Sequence, residues 1–233
     1  MTAPTLPTTA PAPDAEPGTM PPAAESEALP TRGRARKYSQ VMGQIYQAAI
    51  EVFAAHGLDG ASTQAVAERA GLSKAQLHYY IDTKEALYRQ VLQDIIDDWI
   101  GIFGFSDEAF GARKVLSEHI RRKMNFSFDQ PLRSRIFAAE MMRGAPVARE
   151  MMGNSKRRTQ QAVAVIQNWI AQGQMGPVDP QLFLFHLWAV TQFYADHAAQ
   201  VNYFREGSAD TGRDRDYLIE QATEFLLRGA QVK

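Results

Sequence analysis

Apolar side chains recur along this chain at intervals of three and four residues, the spacing of a helix face. Val41, Ile45, Ala48, Ala49, Val52 and Phe53 mark one side of a helix predicted from about 37 to 56. His56-Gly57 closes it, the glycine being suited to a left-handed C-cap. A second helix follows Gly60, with Ser62 or Thr63 as N-cap; it carries Ala65, Val66, Ala67 and Ala70 and stops at Gly71. Ser73 caps a third, from Lys74 to Ile81. Asp82 or Thr83 caps a fourth that begins at Lys84 and runs through Leu87, Val91, Leu92, Ile95, Ile96 and Trp99, weakened at its end by Gly101 and Gly104. Helical period continues near 108–127, 130–143, 147–173, 179–205 and 213–230. The breaks fall at Pro131, at Gly144-Ala145-Pro146, from Gly173 to Pro180 and from Gly207 to Gly212. No stretch alternates apolar and polar residues long enough for a strand, so an all-α fold of about nine helices is expected.

Composition narrows this picture. A chain of 233 residues with 45% hydrophobic and 22% charged residues is long and apolar enough to bury a core, as one large domain or two small ones. The absence of cysteine excludes a disulfide framework and a thiolate metal site. No run of about 18 apolar residues suggests a membrane span, and the N-terminus lacks the basic and apolar regions of a secretory signal, so a cytoplasmic location is expected. Residues 1–31 are rich in Pro, Ala, Thr and Glu and are read as a disordered tail. With the basic run Arg32, Arg34, Arg36 and Lys37 at its end, this tail is assigned to 1–36.

The net charge of −1 hides a division. Residues 1–31 hold four acids and no base, residues 32–90 eight bases and five acids, and residues 91–233 seventeen of each. The positive excess therefore lies where the helices are shortest. There, two helices flank the turn Ala70-Gly71-Leu72-Ser73, the arrangement of a helix-turn-helix, whose second helix presents its N-terminal side chains to base edges in a major groove. Lys74 can donate to guanine or phosphate, and Gln76 can pair with adenine bidentately. Of Tyr79 and Tyr80, one reaches phosphate and the other packs inward. Thr63 and Lys84 begin the flanking helices, where N-termini favour anions. Ser73 and His78 complete the candidate DNA-binding set.

The run from Ala49 to Leu87 resembles the DNA-binding domain of the TetR family. It includes Phe53-Ala54-Ala55-His56-Gly57, Thr63 through Lys74, and Tyr79-Tyr80-Ile81-Asp82-Thr83-Lys84-Glu85-Ala86-Leu87. Ala75, Gln76, His78 and Ile81 depart from the family pattern, and Gln76 and His78 lie in the recognition helix, so the operator is not carried over. The resemblance implies a DNA-binding domain over 37–83 and a ligand-binding and dimerisation domain over 84–233. It also implies a homodimer formed through the last two helices. A two-fold dimer sets recognition helices about 34–36 Å apart and expects a near-palindromic operator.

Further along, Glu140 through Pro146, Pro177 through Gln181, and Trp188-Ala189-Val190-Thr191-Gln192-Phe193-Tyr194-Ala195-Asp196 resemble the pyrimidine-utilisation regulators within that family, and Trp99 matches as well. Trp188, Gln192 and Asp196 are spaced i, i+4, i+8 along one side of a helix. A buried amide and carboxylate need partners. Either they bond each other, backbone or a dimer mate, or they hold a polar ligand. Uracil and thymine present an edge of acceptor, donor, acceptor, which a Gln amide can pair. The candidate ligand set is Trp99, Trp188, Gln192 and Asp196, with Tyr194 and Thr191 as weaker members.

No cofactor is expected beyond such an effector. His186 and His197 lack a third ligand and read as satisfied or exposed. Met141-Met142 and Met151-Met152 read as flexible core or pocket lining. Arg121-Arg122-Lys123 and Lys156-Arg157-Arg158 read as solvated helix faces. No nucleophile elbow, phosphate loop or metal motif supports an enzyme. The expected function is a ligand-released repressor; the alternatives are a family member answering an unrelated metabolite or drug, and an adaptor without DNA affinity.

Overall fold

In α1 (Arg32–Gly60) the helix begins five residues before the predicted start, so the basic run falls in its first turns, where Arg36 and Lys37 are exposed. Ala35, Arg36 and Lys37 are good helix formers and need no burial to extend it. The computed structural model describes residues 32–103, 105, 110–205 and 212–233, without a strand among them. The predicted tail over 1–31, Gly104 and most of the break from Gly207 to Gly212 lie outside these. Gly57 interrupts α1 with φ 65° and ψ −177°, a region open in practice only to glycine and distinct from the left-handed helical cap expected there.

The next two helices, α2 (Thr63–Arg69) and α3 (Lys74–Tyr80), are each one short segment fixed by a serine. Ser62 Oγ accepts from the Ala65 N–H at 3.0 Å, which resolves the N-cap in favour of Ser62. Between the helices Gly71, at φ 70°, donates to the Glu68 carbonyl while Leu72 donates to that of Ala67, the paired bonds of a Schellman turn. Thr83, not Asp82, caps α4 (Lys84–Phe103), its Oγ1 accepting from the Ala86 N–H at 3.0 Å.

The remainder comprises α5 (Ala112–Asp129), α6 (Pro131–Met142), a 3₁₀ turn (Ala148–Glu150), α7 (Gly153–Ala171), α8 (Pro180–Asp196), α9 (Ala198–Arg205) and α10 (Gly212–Gly229). Ten α-helices are thus described, against about nine expected. The segment predicted as one helix over 147–173 divides into the 3₁₀ turn and α7. That predicted over 179–205 divides where His197 leaves the helical well at φ −114° and ψ 29°.

Two apolar cores result. The first joins α1, α2, α3 and α4 to α6 and the 3₁₀ turn, with Ile45, Phe53, Leu77, Leu92, Ile136 and Ala148 closed from solvent. The second gathers Leu116, Ile120, Ile166, Trp169, Leu187 and Leu227 from α5, α7, α8 and α10. The short N-terminal helices therefore share a core with α6, which packs along α1.

A single carboxylate secures that junction. Glu140, on the last turn of α6, is 1% exposed. Its Oε1 accepts from the Val147 and Ala148 N–H groups at 2.6 and 2.9 Å, and its Oε2 accepts from the Tyr88 hydroxyl of α4 at 3.0 Å. Burial first, and the Glu140 charge second, push the Tyr88 hydroxyl well above its ordinary range, so it remains a donor. Tyr88 in turn meets Phe53 of α1 edge to face at 5.0 Å. Ion pairs Arg143–Asp59, Arg89–Glu150 and Arg133–Asp98 run alongside; being exposed at one partner or both, they add little stability.

Replacing Glu140 by Gln keeps the shape but converts one acceptor oxygen into a donor facing backbone N–H or hydroxyl. Urea denaturation is expected to show a loss of about 1–3 kcal/mol, and Tyr88→Phe a loss of about 1 kcal/mol. A Glu140→Gln midpoint equal to that of the native chain would refute the assignment of this hub.

Candidate functional site

The first candidate surface is α3. Only Leu77 of this helix is buried; Lys74, Gln76, His78 and Tyr79 project outward, and Tyr79 is 69% exposed. Tyr80 lies half-buried against Tyr38 of α1, ring centroids 5.2 Å apart, so Tyr79 is the outward member of the pair. Gln76 Oε1 accepts from the Ser73 N–H at 2.9 Å while Ser73 Oγ accepts from the Gln76 N–H at 3.2 Å. This capping box occupies the amide oxygen that bidentate adenine pairing requires, leaving Nε2 as the available donor. Lys84 Nζ donates to the Ala61 carbonyl at 2.9 Å, so this cation is drawn toward the start of α2 instead of extending outward. Thr63, the first residue of α2, is half-buried.

The second candidate is a cleft of about 1400 Å³ between α4, α6, α7 and α8. Trp99, Trp188, Gln192 and Asp196, four of the six ligand candidates, line it together. Trp99 stands 4.6 Å from Phe137 and 6.3 Å from Phe126, ring to ring. Met141, Met142 and Met152 supply flexible apolar wall, and Ala54 brings α1 to the cleft.

Thr191 and Tyr194 fall elsewhere. Thr191 is fully buried, and its hydroxyl donates back to the Leu187 carbonyl at 2.7 Å, satisfying it within α8. Tyr194 packs on Phe128 and Phe193 at about 6 Å in the second core. Both lie off the 188–192–196 side of the helix by more than a quarter turn, as the 100° step of a helix dictates.

The principal correction concerns Lys123. It is 3% exposed, not part of a solvated face. Its Nζ lies 4.2 Å from the Trp99 ring centroid and donates to Gln192 Oε1 at 3.2 Å. Gln192 Nε2 then donates to Asp196 Oδ1 at 3.0 Å. A cation, an amide and an anion thus form one chain along the cleft wall. Burial lowers the Lys123 pKa to about 7, opposed by the Asp196 charge. Burial raises Asp196, opposed by Gln192 and then by His197, Lys123 and Arg135. The position of Lys123 was readable from pattern: with Leu116, Ile120, Met124 and Ser127 it continues the buried stripe of α5. Reading the three-residue charge run as a unit concealed this, since its members Arg121, Arg122 and Lys123 face successively different directions.

His186 and His197 are exposed, His197 stacked on Phe193 at 4.6 Å. Among the described residues no three His, Cys, Asp or Glu side chains converge as metal ligands, and no helix is long and apolar enough to cross a membrane.

The Lys123 environment gives a pH dependence with a definite sign. The folded chain releases this proton near pH 7, the unfolded chain nearer 10.5. Between these values the unfolded state binds more protons, so rising pH favours the folded state. Lys123→Met removes the buried ammonium. The stability advantage of this variant over the native chain is expected to shrink from about pH 7 to about pH 9.5, read as urea midpoints. A difference constant across that range would contradict the burial of an ionisable amine.

The chain has relatives at both levels of comparison. Residues 45–91 match the model of bacterial regulatory proteins of the tetR family, and residues 92–233 match that of the YcdC-like protein C-terminal region. The HTH-type transcriptional regulator RutR of Escherichia coli (strain K12) is 40% identical over 211 residues, spanning 88% of this chain and 98% of that protein; RutR of Shigella flexneri matches equally. Among solved structures, the ketosteroid transcriptional regulator KstR2 of Mycobacterium tuberculosis aligns with a TM-score of 0.65 at 18% identity, covering 82% of this chain and 94% of that one. AibR, solved in complex with isovaleryl coenzyme A and operator DNA, aligns at 0.60 and 15% identity, covering 81% and 97%. With the short capped helices of its N-terminal core and both family models spanning it from residue 45 to its last residue, the chain belongs to the TetR family of bacterial transcriptional regulators.

Proposed function

We propose that this chain is a homodimeric repressor of a near-palindromic operator, released when the cleft takes a small planar polar ligand, a pyrimidine such as uracil or thymine. The observation that supports this most directly is the Lys123–Gln192–Asp196 chain beside two indoles. A uracil edge offers carbonyl, ring N–H and carbonyl in order. Lys123 donates to one carbonyl, Asp196 accepts from the ring N–H, and the second proton of the Gln192 amide serves the other carbonyl. Trp188 and Trp99 supply flat apolar surface beside these groups. The likeness of the 188–196 run to pyrimidine-utilisation regulators points the same way. In the free protein the three polar groups bond in series and each keeps spare capacity, so a ligand gains most by matching all of them together.

Release needs a route from cleft to DNA. Ala54 on α1 and Ile96 and Trp99 on α4 line the cleft; α1 leads into α2 just beyond Ala54, and α3 precedes the far end of α4. Trp99 lies about 22 Å from Lys84 along α4. A ligand that displaces Trp99 or the α6 wall tilts α4, and the tilt is magnified at the recognition helix. The ligand must bind the DNA-incompetent arrangement better, or it shifts nothing. AibR, described with both a ligand and operator DNA, supports the compatibility of this architecture with two such partners.

The dimer is supported by exposed apolar side chains on the two helices expected to form it. Leu182, Phe185 and Phe193 lie along one side of α8, and Tyr217 and Phe225, spaced i and i+8, along one side of α10; all are exposed in the single chain, Phe225 by 70%.

Two outcomes are expected. Saturating uracil weakens operator affinity in an electrophoretic or anisotropy assay, and Gln192→Ala loses that response while still binding operator; affinity unchanged by uracil or thymine would reject this induction scheme. Phe225→Glu shifts the sedimentation coefficient from dimer to monomer and weakens operator binding by at least about tenfold, since two linked half-sites become one. A Phe225→Glu protein that remains dimeric would move the interface elsewhere.

A further inference from the structure

The cleft carries more positive charge than a neutral ring can use. Four cationic side chains line it, Lys123, Arg135, Arg149 and Lys156, against one carboxylate, Asp196. Lys123 and Asp196 are joined through Gln192, and Arg135 is exposed near enough to Asp196 to act on its charge. Arg149 and Lys156 are not balanced in this way. Among the described residues the exposed Arg149 donates from Nη2 to the Gly144 carbonyl, a neutral acceptor, at 3.2 Å, and neither it nor the exposed Lys156 has an ion pair. They stand seven residues apart on either side of the bend at Met151-Met152, and Gly153 and Ser155 of the first turn of α7 line the cleft with them.

Size points the same way. Pockets that enclose drug-sized ligands run about 300–1,000 Å³. At about 1400 Å³ this open cleft has room well beyond one six-membered ring seated against Lys123, Gln192 and Asp196.

We propose that Arg149 and Lys156 form an anion subsite at the α7 side of the cleft, so that the favoured effector is a pyrimidine carrying a negatively charged substituent, a phosphate or a carboxylate, rather than the bare base. The guanidinium of Arg149 matches either oxyanion with two parallel N–H bonds, and the Lys156 ammonium adds a mobile charge. The methionines that line the same cleft, Met141, Met142 and Met152, can accommodate a linking sugar or other spacer without a fixed shape. This inference rests on the pyrimidine reading above and extends it from the head of the ligand to its tail.

The test is calorimetric titration of the full-length protein with uracil, uridine, uridine 5′-monophosphate and orotate, at low and high salt. The monophosphate arm reports a phosphate on a spacer and the orotate arm a carboxylate on the ring. At least one anionic ligand is expected to bind about tenfold or more tighter than its neutral counterpart, an advantage that contracts as salt rises. In the double variant R149Q/K156Q, checked for cooperative unfolding and operator binding, the ratio of anionic to neutral affinity is expected to collapse toward one. Binding of uracil or uridine with no gain for either anion overturns the subsite and leaves the pyrimidine reading standing. An anionic advantage that survives in the double variant overturns the assignment to Arg149 and Lys156. Failure of all four to bind removes the pyrimidine reading and the subsite together.

Discussion

A carboxylate closed off from water must find a donor for each oxygen, and the molecule is arranged around one that does. Burying an unpaired charge costs several kcal/mol even after the surroundings relax. Glu140 escapes that cost only if the chain after α6 folds back to offer the Val147 and Ala148 N–H groups, and only if α4 presents Tyr88 on the other side. Meeting these conditions sets the tight turn through Gly144 and Ala145, both at positive φ, and delays α7 to Gly153. The wall of the cleft that carries Met141, Met142, Ala145 and Arg149 is therefore a consequence of satisfying one side chain. So is the attachment of the short N-terminal helices, since Tyr88 also packs on Phe53.

The cleft obeys the same rule at a second place, with a looser outcome. Lys123, Gln192 and Asp196 satisfy one another in series, but each keeps further hydrogen-bonding capacity: ammonium protons, an amide proton and a carboxylate oxygen. Glu140 faces a dry turn and is fixed, whereas this chain faces open volume and can be rearranged by whatever enters. The contrast divides the two polar clusters by how easily they change partners: the Glu140 hub cannot do so cheaply, whereas the lysine–amide–carboxylate chain can. In the proposed function, a ligand presenting an oxygen acceptor to Lys123 would favour the charge that burial disfavours.

A family of regulators with a common N-terminal reader and diverse C-terminal signals is intelligible on this basis. The reader needs little beyond capped short helices on a small core, and those features reside in a few residues: Ser62, Gly71, Ser73, Leu77 and Thr83. The cleft, by contrast, depends on which side chains converge from separate helices. Departures from the family pattern at Gln76 and His78 are tolerated, as both are exposed on α3.

By itself the sequence determined most of what is local in the chain. Helical period, the positions of the capping serines and threonines to within a residue, the Gly71 turn and the Trp188–Gln192–Asp196 stripe each arise within one or two turns of backbone, where spacing alone dictates direction. What only the tertiary structure decided involves groups far apart in the chain. Whether Lys123 faces water or Trp99, and where Glu140 finds its donors, depend on how α4, α5, α6 and α8 pack; so does the absence of Thr191 and Tyr194 from the cleft. The division at His197 and the delayed start of α7 belong with them. Burial and hydrogen-bond satisfaction are sums over neighbours that no single segment contains. A charged residue on an apolar stripe therefore looks solvated until its partners are known.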